Sequence, residues 1–408
     1  MGVMLSVPEA QRLILQEISV LGSEKVNLLS ALWRVLAEDV VSTRDIPPWD
    51  NSSMDGYAVR AQDTRGATRE RPARLSVVGQ IPAGGMASRP MGSGEAYRIM
   101  TGAPMPEGAD AVIPIEEVLV EDDKVVCLRE VTPREFVRPL GEDVRRGNLV
   151  LSPGTRLSPA ALGLLAALGR ASVEVYQRPR VAILATGDEL VEIEEPLGPG
   201  KITDSNSYTL MAQIQAAGGV PVSLGIARDS LESLVERLRW GLTADCLISS
   251  AGVSVGDHDH VRAALERLAA QLRFWKVAMR PGKPLTFGLL QGKPVFGLPG
   301  NPVSSMVTFE LFVRPALMKM MGHPDLFRPR VRAVAAMSIP NPGEREGYLR
   351  VSLRREGGRY HARLTGEQGS SILRSMLLAD GLAVLPPDTT IPAGQEVDVI
   401  LLNEIPEA

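Results

Sequence analysis

The sequence predicts a multidomain α/β plus β protein. Three observations carry that reading. The 408 residues exceed what one core usually holds, and residues 180–322 alternate strand-like with helical runs. The flanking stretches 72–151 and 331–408 are short β-rich runs broken by Gly and Pro. Composition is ordinary for a globular chain, 44% hydrophobic and 23% charged, and the net charge of −4 offers no basic field for nucleic acid. Two cysteines, Cys127 and Cys246, build no disulfide framework, which fits a reducing, cytoplasmic setting. The apolar run ALGLLAAL (161–168) is far too short to span a membrane, and no basic-then-apolar leader opens the chain.

The elements follow in order. The first helix is PEAQRLILQEISVL, whose Ala10, Leu13, Ile14, Ile18 and Leu21 share one face. Ser6 and Glu9 form its capping box, a plainer account of the start MGVMLS than a myristoylation signal. A second helix is predicted at LLSALWRVLAEDV (28–40), followed by the turn-rich DIPPWDNSSMDGYAV (45–59). LSVVGQI, AYRIM, AVIPIEEVLV and KVVCLREV read as strands of a small, irregular β domain. LSPAALGLLAALG reads as a helix, with Ser158 as cap, Pro159 at the first helical position and Gly169 as its stop.

From 180 the strands VAILAT, VPVSLGI, DCLISSAG, LRFWKVA, PLTFGLL and PVFGLPG alternate with helices. The helices are SYTLMAQIQAAGG, SLESLVERLRWG, DHVRAALERLAAQ and NPVSSMVTFELFVRPALMKMMG, so the unit is doubly wound. Beyond HPDLFRPR the chain returns to short strands, a small β-barrel or sandwich.

In a sheet of this kind ligands sit beyond the carboxyl ends of the strands. Six loops converge there: Thr186-Gly187-Asp188-Glu189; Asp204-Ser205-Asn206; Asp229; SSAGVSVGDHDH with Gly252, Ser254, Gly256, Asp257 and Asp259; MRPGKP with Arg280, Gly282 and Lys283; and Gly300-Asn301-Pro302. Taken alone, Asp229 with Glu232 reads as a capping box, Asp257 or Asp259 as the cap of the helix at 260, and Asn301-Pro302 as cap plus first turn. His258 and His260 lack a third ligand and read as solvent-facing. The close glycines of SAGVSVGD suit backbone amides meeting phosphate, and Lys276, Arg280 and Lys283 add cations. Acids on one set of loops and bases on the next suggest an anionic ligand, with a divalent metal between carboxylates and phosphates.

IPPWDNSSMDGYAV, RIMTGAPMPEGADAVIP, ATGDEL, SAGVSVGDHD, RPGKPLTFG and GLPGNPVSS occur in this order. The ordered set resembles the molybdopterin molybdenumtransferases, which include bacterial MoeA and the gephyrin E domain. The resemblance implies an enzyme that inserts molybdate, its substrate, into adenylylated molybdopterin with Mg²⁺-dependent release of AMP. It implies an elongated, discontinuous domain I (1–25, 43–50 and 146–177) and a β-rich insertion domain II (26–42 and 51–145). Domain III (178–325) would be an α/β unit like molybdopterin adenylyltransferase, and domain IV (326–408) a C-terminal β-barrel. It further implies a cytoplasmic homodimer served by a molybdopterin adenylyltransferase, with neither nucleic acid nor membrane as partner. The site would lie between domain III of one chain and domains II and IV of the other.

By motif, Asp55, Thr101, Asp143, Glu189, Asp229 and Asp259 match positions tied to activity, with Asp229 and Asp259 as metal ligands. Thr186, Gly187, Asn206, Gly252, Ser254, Lys276, Arg280 and Lys283 would bind substrate. Arg280 stands where the family commonly has Lys. Arg350 of YLRV and Ser371 of GEQGSSILRS match the molybdate-side Arg and Ser, with Ser370 as the neighbouring register. Two other readings remain: a molybdopterin adenylyltransferase, which would need the α/β unit alone, and a non-catalytic scaffold of the gephyrin E-domain type.

Overall fold

The computed structural model describes residues 4–251 and 260–403. The chain folds as two compact units, Lys25–Glu174 and a second made of residues up to Glu24 with Val175 onward.

In the Lys25–Glu174 unit, six strands form one sheet in the order Ala111–Pro114, Gly56–Val59, Glu95–Ile99, Ala73–Ile81, Lys124–Cys127, Val118–Glu121. Alternation along the strands covers both faces: Tyr57, Val59, Ile113 and Val125 pack on one, Ala58, Val112, Tyr97 and Ile99 on the other. Gly56 is required at its place, because a Cβ there would stand 2.1 Å from the Ile113 carbonyl oxygen. The helix Pro159–Ala167 forms as its sequence dictates, with Ser158 accepting from the Ala161 N–H at 3.3 Å and Gly169 at φ +75° beyond its end. The predicted helix at 28–40 does not form. Only a single turn, Leu29–Ala31, is helical, and Trp33 sits at φ +63°. Its backbone instead bonds across the chain, Trp33 N–H to Leu157 C=O and Leu36 N–H to Thr155 C=O. Tertiary pairing outweighs the local propensity of a Leu/Ala-rich run.

The second unit is built on a six-stranded sheet ordered Val220–Ala227, Arg180–Thr186, Cys246–Ser250, Lys293–Leu298, Pro284–Leu290, Gln271–Lys276. The first four strands are parallel, Pro284–Leu290 runs antiparallel to them, and Gln271–Lys276 pairs antiparallel with it in turn. Val181, Ile183 and Ile248 face Leu210 and Ile214 of helix Ser205–Ala216 and Val303 and Val307 of helix Pro302–Thr308. Ala182, Leu184 and Leu247 face Leu234 and Leu238 of helix Leu231–Gly241 and Val261 and Leu265 of helix His260–Arg267. Each such buried Val, Leu or Ile side chain contributes about 1.5–3 kcal/mol. The N-terminal helix Val7–Glu17 joins the first face through Ala10 and Ile14, with its capping box as predicted, and ends before the predicted Ile18 and Leu21.

The chain then closes a five-stranded barrel: Glu346–Glu356, Arg359–Leu364, Arg330–Ala335, Glu396–Leu401, Gly381–Leu385 and back to Glu346–Glu356. Leu349, Val351 and Leu353 point into it. By the two-residue period Tyr348 and Arg350 point out, and Tyr348 packs into the core shared with the α/β sheet. No helix among the described residues is long and apolar enough to cross a membrane.

Candidate active site

At the carboxyl edge of the parallel strands lies a cleft of about 580 Å³, lined among others by Glu189, Asp204, Asn206, Ser250, Asn301 and Ser371. Strand Arg180–Thr186 delivers the first acid. Gly187 follows at φ +150°, and a Cβ there would come within 2.6 Å of Glu189 Oε2. Glycine therefore lets the Glu189 carboxylate fold back over its own turn. The excursion that follows returns as a short parallel pair, Leu190–Val191 with Ile202–Thr203. It is pinned by the Ile202 N–H on the Glu189 carbonyl at 2.9 Å and by the Lys201 amine on the Asp188 carbonyl. Asp204 caps the next helix, accepting from the Ser207 N–H at 3.1 Å. Asn206, in its first turn, donates through Nδ2 to Ser250 Oγ at 3.0 Å and the Gly300 carbonyl at 2.7 Å. Its Oδ1 is thereby fixed as a buried acceptor with no partner among the described residues.

Thr186 Oγ donates to Asp229 Oδ1 at 2.7 Å, and the Asp229 N–H donates to Asp188 Oδ1 at 3.3 Å. The capping reading of Asp229 with Glu232 is overturned. Ser230 is the cap, accepting from the Ser233 N–H at 3.3 Å, and Asp229 is released to the strand end. Asn301 stands at an N-cap, yet its side chain makes no capping bond. Gly252, Ser254 and Asp259, with Asp257 and His258, lie outside the described residues. Asp188 and Asp229 offer oxygen donors alone, the type Mg²⁺ takes beside substrate phosphates. Among the described residues no three His, Cys, Asp or Glu side chains gather into a metal-binding group.

The cations come from the antiparallel edge. Lys276 and Lys283 flank a hairpin closed by the Val277 N–H on the Lys283 carbonyl at 3.0 Å. Between them Met279 and Arg280 form a parallel ladder with Glu346 and Gly347 of the barrel. Arg280 donates to the Pro342 carbonyl and Arg345 to the Met279 carbonyl, each at 3.1 Å. This seam brings Arg280 beside Arg350. Arg350 is fully buried, donating through Nε to Ser375 Oγ and through Nη2 to the Gly369 carbonyl, each at 3.0 Å. Its Nη1 has no partner among the described residues. Burial, then the charge of Arg280, pulls its pKa down to about 10. Two converging cations, one of them buried without a carboxylate in ion-pair contact among the described residues, make the electrostatics of an anion site.

The Ser370 carbonyl accepts from the Val303 N–H at 3.1 Å, and Ser371 lines the cleft. The barrel of the same chain therefore reaches the cleft through Ser371. The remaining predicted site residues lie in the Lys25–Glu174 unit. Thr101 donates its N–H and its hydroxyl to Asp55 Oδ1, and these bonds, the backbone one first, hold the Asp55 carboxyl below the usual range. Asp143 is exposed, its N–H on the Ile46 carbonyl at 3.0 Å.

Three family profiles cover most of the chain: the MoeA N-terminal region (domain I and II) at residues 5–169, a probable molybdopterin binding domain at 182–319, and the MoeA C-terminal region (domain IV) at 332–402. The chain is 41% identical to a molybdopterin molybdenumtransferase of Nostoc sp., over 93% of its own length and 89% of that protein. The chain belongs to the molybdopterin molybdenumtransferase family. It is also 40% identical to molybdopterin molybdenumtransferase 2 of Mycobacterium tuberculosis, over 97% of its own length and 99% of that protein. The crystal structure of the molybdopterin biosynthesis MoeA protein of Pyrococcus horikoshii matches it with a TM-score of 0.84 at 34% identity, covering 98% of this chain and 100% of that one. The region matched by the probable molybdopterin binding domain coincides with the sheet whose edge forms the cleft. Sequence reasoning missed Gln368 and Ser375, which hold Arg350: both lie in GEQGSSILRS, but only its Ser370 and Ser371 were singled out.

Proposed function

We propose that the protein is a molybdotransferase of molybdenum cofactor biosynthesis, inserting molybdate into adenylylated molybdopterin and releasing AMP. The observation that carries the proposal is Arg350, a buried guanidinium with an unpartnered Nη1, behind the loop that brings Ser371 into a cleft holding Glu189 and Asn206. A small oxyanion supplies what that cation lacks. Asn206 Oδ1 would accept from a donor on the substrate. Lys276, Arg280 and Lys283 would hold its phosphates, and Gly252 and Ser254 would bring backbone amides to them.

Mg²⁺, held by Asp229 and Asp259 together with phosphate oxygens, would neutralise charge on the pyrophosphate. Thr186 keeps Asp229 oriented, and Glu189, which lines the cleft, would accept a proton from attacking water. The P–O bond to AMP breaks as water adds to phosphorus. Asp55, Thr101 and Asp143 would serve the site of the second copy in a cytoplasmic homodimer, with a molybdopterin adenylyltransferase handing over substrate.

The test supplies adenylylated molybdopterin, molybdate and Mg²⁺ and follows AMP by chromatography and active cofactor by reconstitution of an apo-molybdoenzyme. AMP release with active cofactor is expected. ATP consumption with free molybdopterin would make it an adenylyltransferase, and an intact cofactor pool after gene deletion would make it a scaffold.

A further inference from the structure

Arg350 stands where a ladder runs out. On one side its backbone pairs with Leu382 in strand Gly381–Leu385. On the other, the antiparallel pairing with Arg359–Leu364 ends at Val351 opposite Leu364. The Thr365 N–H still reaches the Arg350 carbonyl at 3.1 Å, but among the described residues no backbone group accepts the Arg350 N–H. Gln368 takes its place. Oε1 accepts from the Arg350 N–H at 2.8 Å, and Nε2 donates to the Arg350 carbonyl at 3.3 Å and the Gly366 carbonyl at 2.9 Å. A carboxamide offers donor and acceptor together, as a peptide group does, so Gln368 continues the missing strand with its side chain.

The turn beyond Gln368 ties three things together. The Gly369 carbonyl receives Arg350 Nη2, the Ser370 carbonyl receives the Val303 N–H, and Ser371 lines the cleft. Gln368 itself is absent from the cleft lining. We infer that Gln368 is a positioning residue that couples Arg350 to Ser371, fixing the distance between the buried cation and the hydroxyl that meet the oxyanion. The inference rests on the molybdate reading proposed above. Without Gln368, the Arg350 N–H becomes a buried orphan, and the turn keeps its grip on Val303 but not on the strand.

The decisive variant is Gln368→Met, of similar length and with no hydrogen bond to give. Molybdate binding by calorimetry is expected to weaken about tenfold. Amide exchange at Arg350 and across residues 366–372 should speed up, while exchange across Arg180–Thr186 stays as in the wild type. Val397→Ala, which trims the barrel interior and lowers the melting temperature, is the control, and its molybdate affinity should stay within twofold of wild type. Should Gln368→Met not fold, Gln368→Glu keeps the acceptor for the Arg350 N–H, loses both donors and sets a negative charge beside the cation. It should weaken molybdate at least as much. Wild-type-like molybdate affinity in the Gln368 variant, or an equal loss in Val397→Ala, overturns the inference. If the wild type binds no molybdate, the functional reading falls instead, and unchanged exchange at Arg350 in Gln368→Met still overturns the role given to Gln368.

Discussion

One oxygen of Asp55 receives both the N–H and the hydroxyl of Thr101, at 2.7 and 2.8 Å. Because both bonds favour the ionised carboxyl, Thr101→Val should raise the Asp55 pKa, and carbon NMR titration of that carboxyl reads it. Turnover should fall less in Thr101→Val than in Asp55→Asn, since only the latter removes the charge. An unmoved Asp55 titration in Thr101→Val would assign its low pKa to other groups.

Gly187 and Glu189 make a second pair. An alanine at 187 must adopt φ +150° and clear a carboxylate 2.6 Å from its Cβ. Gly187→Ala is expected to displace Glu189 and cost turnover about as much as Glu189→Gln. Near-normal rates in a variant that folds would mean the carboxylate can turn aside without consequence.

Asp229 and Ser230 divide two tasks that the sequence assigns to Asp229 alone. Ser230→Ala should cost about 1 kcal/mol in urea unfolding, the usual loss of a cap, and leave AMP release near wild type. Asp229→Asn should do the reverse. If Ser230→Ala instead left stability unchanged while Asp229→Asn lowered it, the cap would belong to Asp229 after all.

The Arg89 fork on Glu95, at 2.7 and 2.8 Å, and then the Gly92 N–H hold the Glu95 carboxyl down to about 2. A carboxyl depressed in the folded state contributes stability above its unfolded pKa, near 4.3, and loses it as pH falls towards 2. The stability gap between wild type and Glu95→Gln should be constant above about pH 5 and shrink as pH falls from about 4.3 towards 2. A gap that persists at pH 2 would point to packing rather than charge.

What could be read from the sequence was local or periodic. Ser6–Glu9 and Ser158–Pro159 are caps whose partners lie within three residues, and both form. The unbroken apolar strands told of a sheet covered on both faces, and the helices lie there. The error at 28–40 arose because the backbone partners of Trp33 and Leu36 are Leu157 and Thr155 respectively, and nothing local signals them. Asp229 and Ser230 are both good caps side by side, and only the Thr186 hydroxyl decides between them. In the site, Glu189 and Asn206 were legible from their motifs. The grip of Gln368 on Arg350 was not, since a glutamine announces no chemistry until its neighbours are known.

The ladder between Met279–Arg280 and Glu346–Gly347 also bears on how the protein is made. Every strand of the α/β sheet has left the ribosome before residue 346 exists, so that sheet can close early. Arg280 then has to wait. Its backbone partner, and the Pro342 carbonyl that receives its side chain, arrive only with the barrel. A nascent chain stalled just short of residue 346 would carry Glu189 and Asp229 on a closed sheet while Arg280 was still untethered.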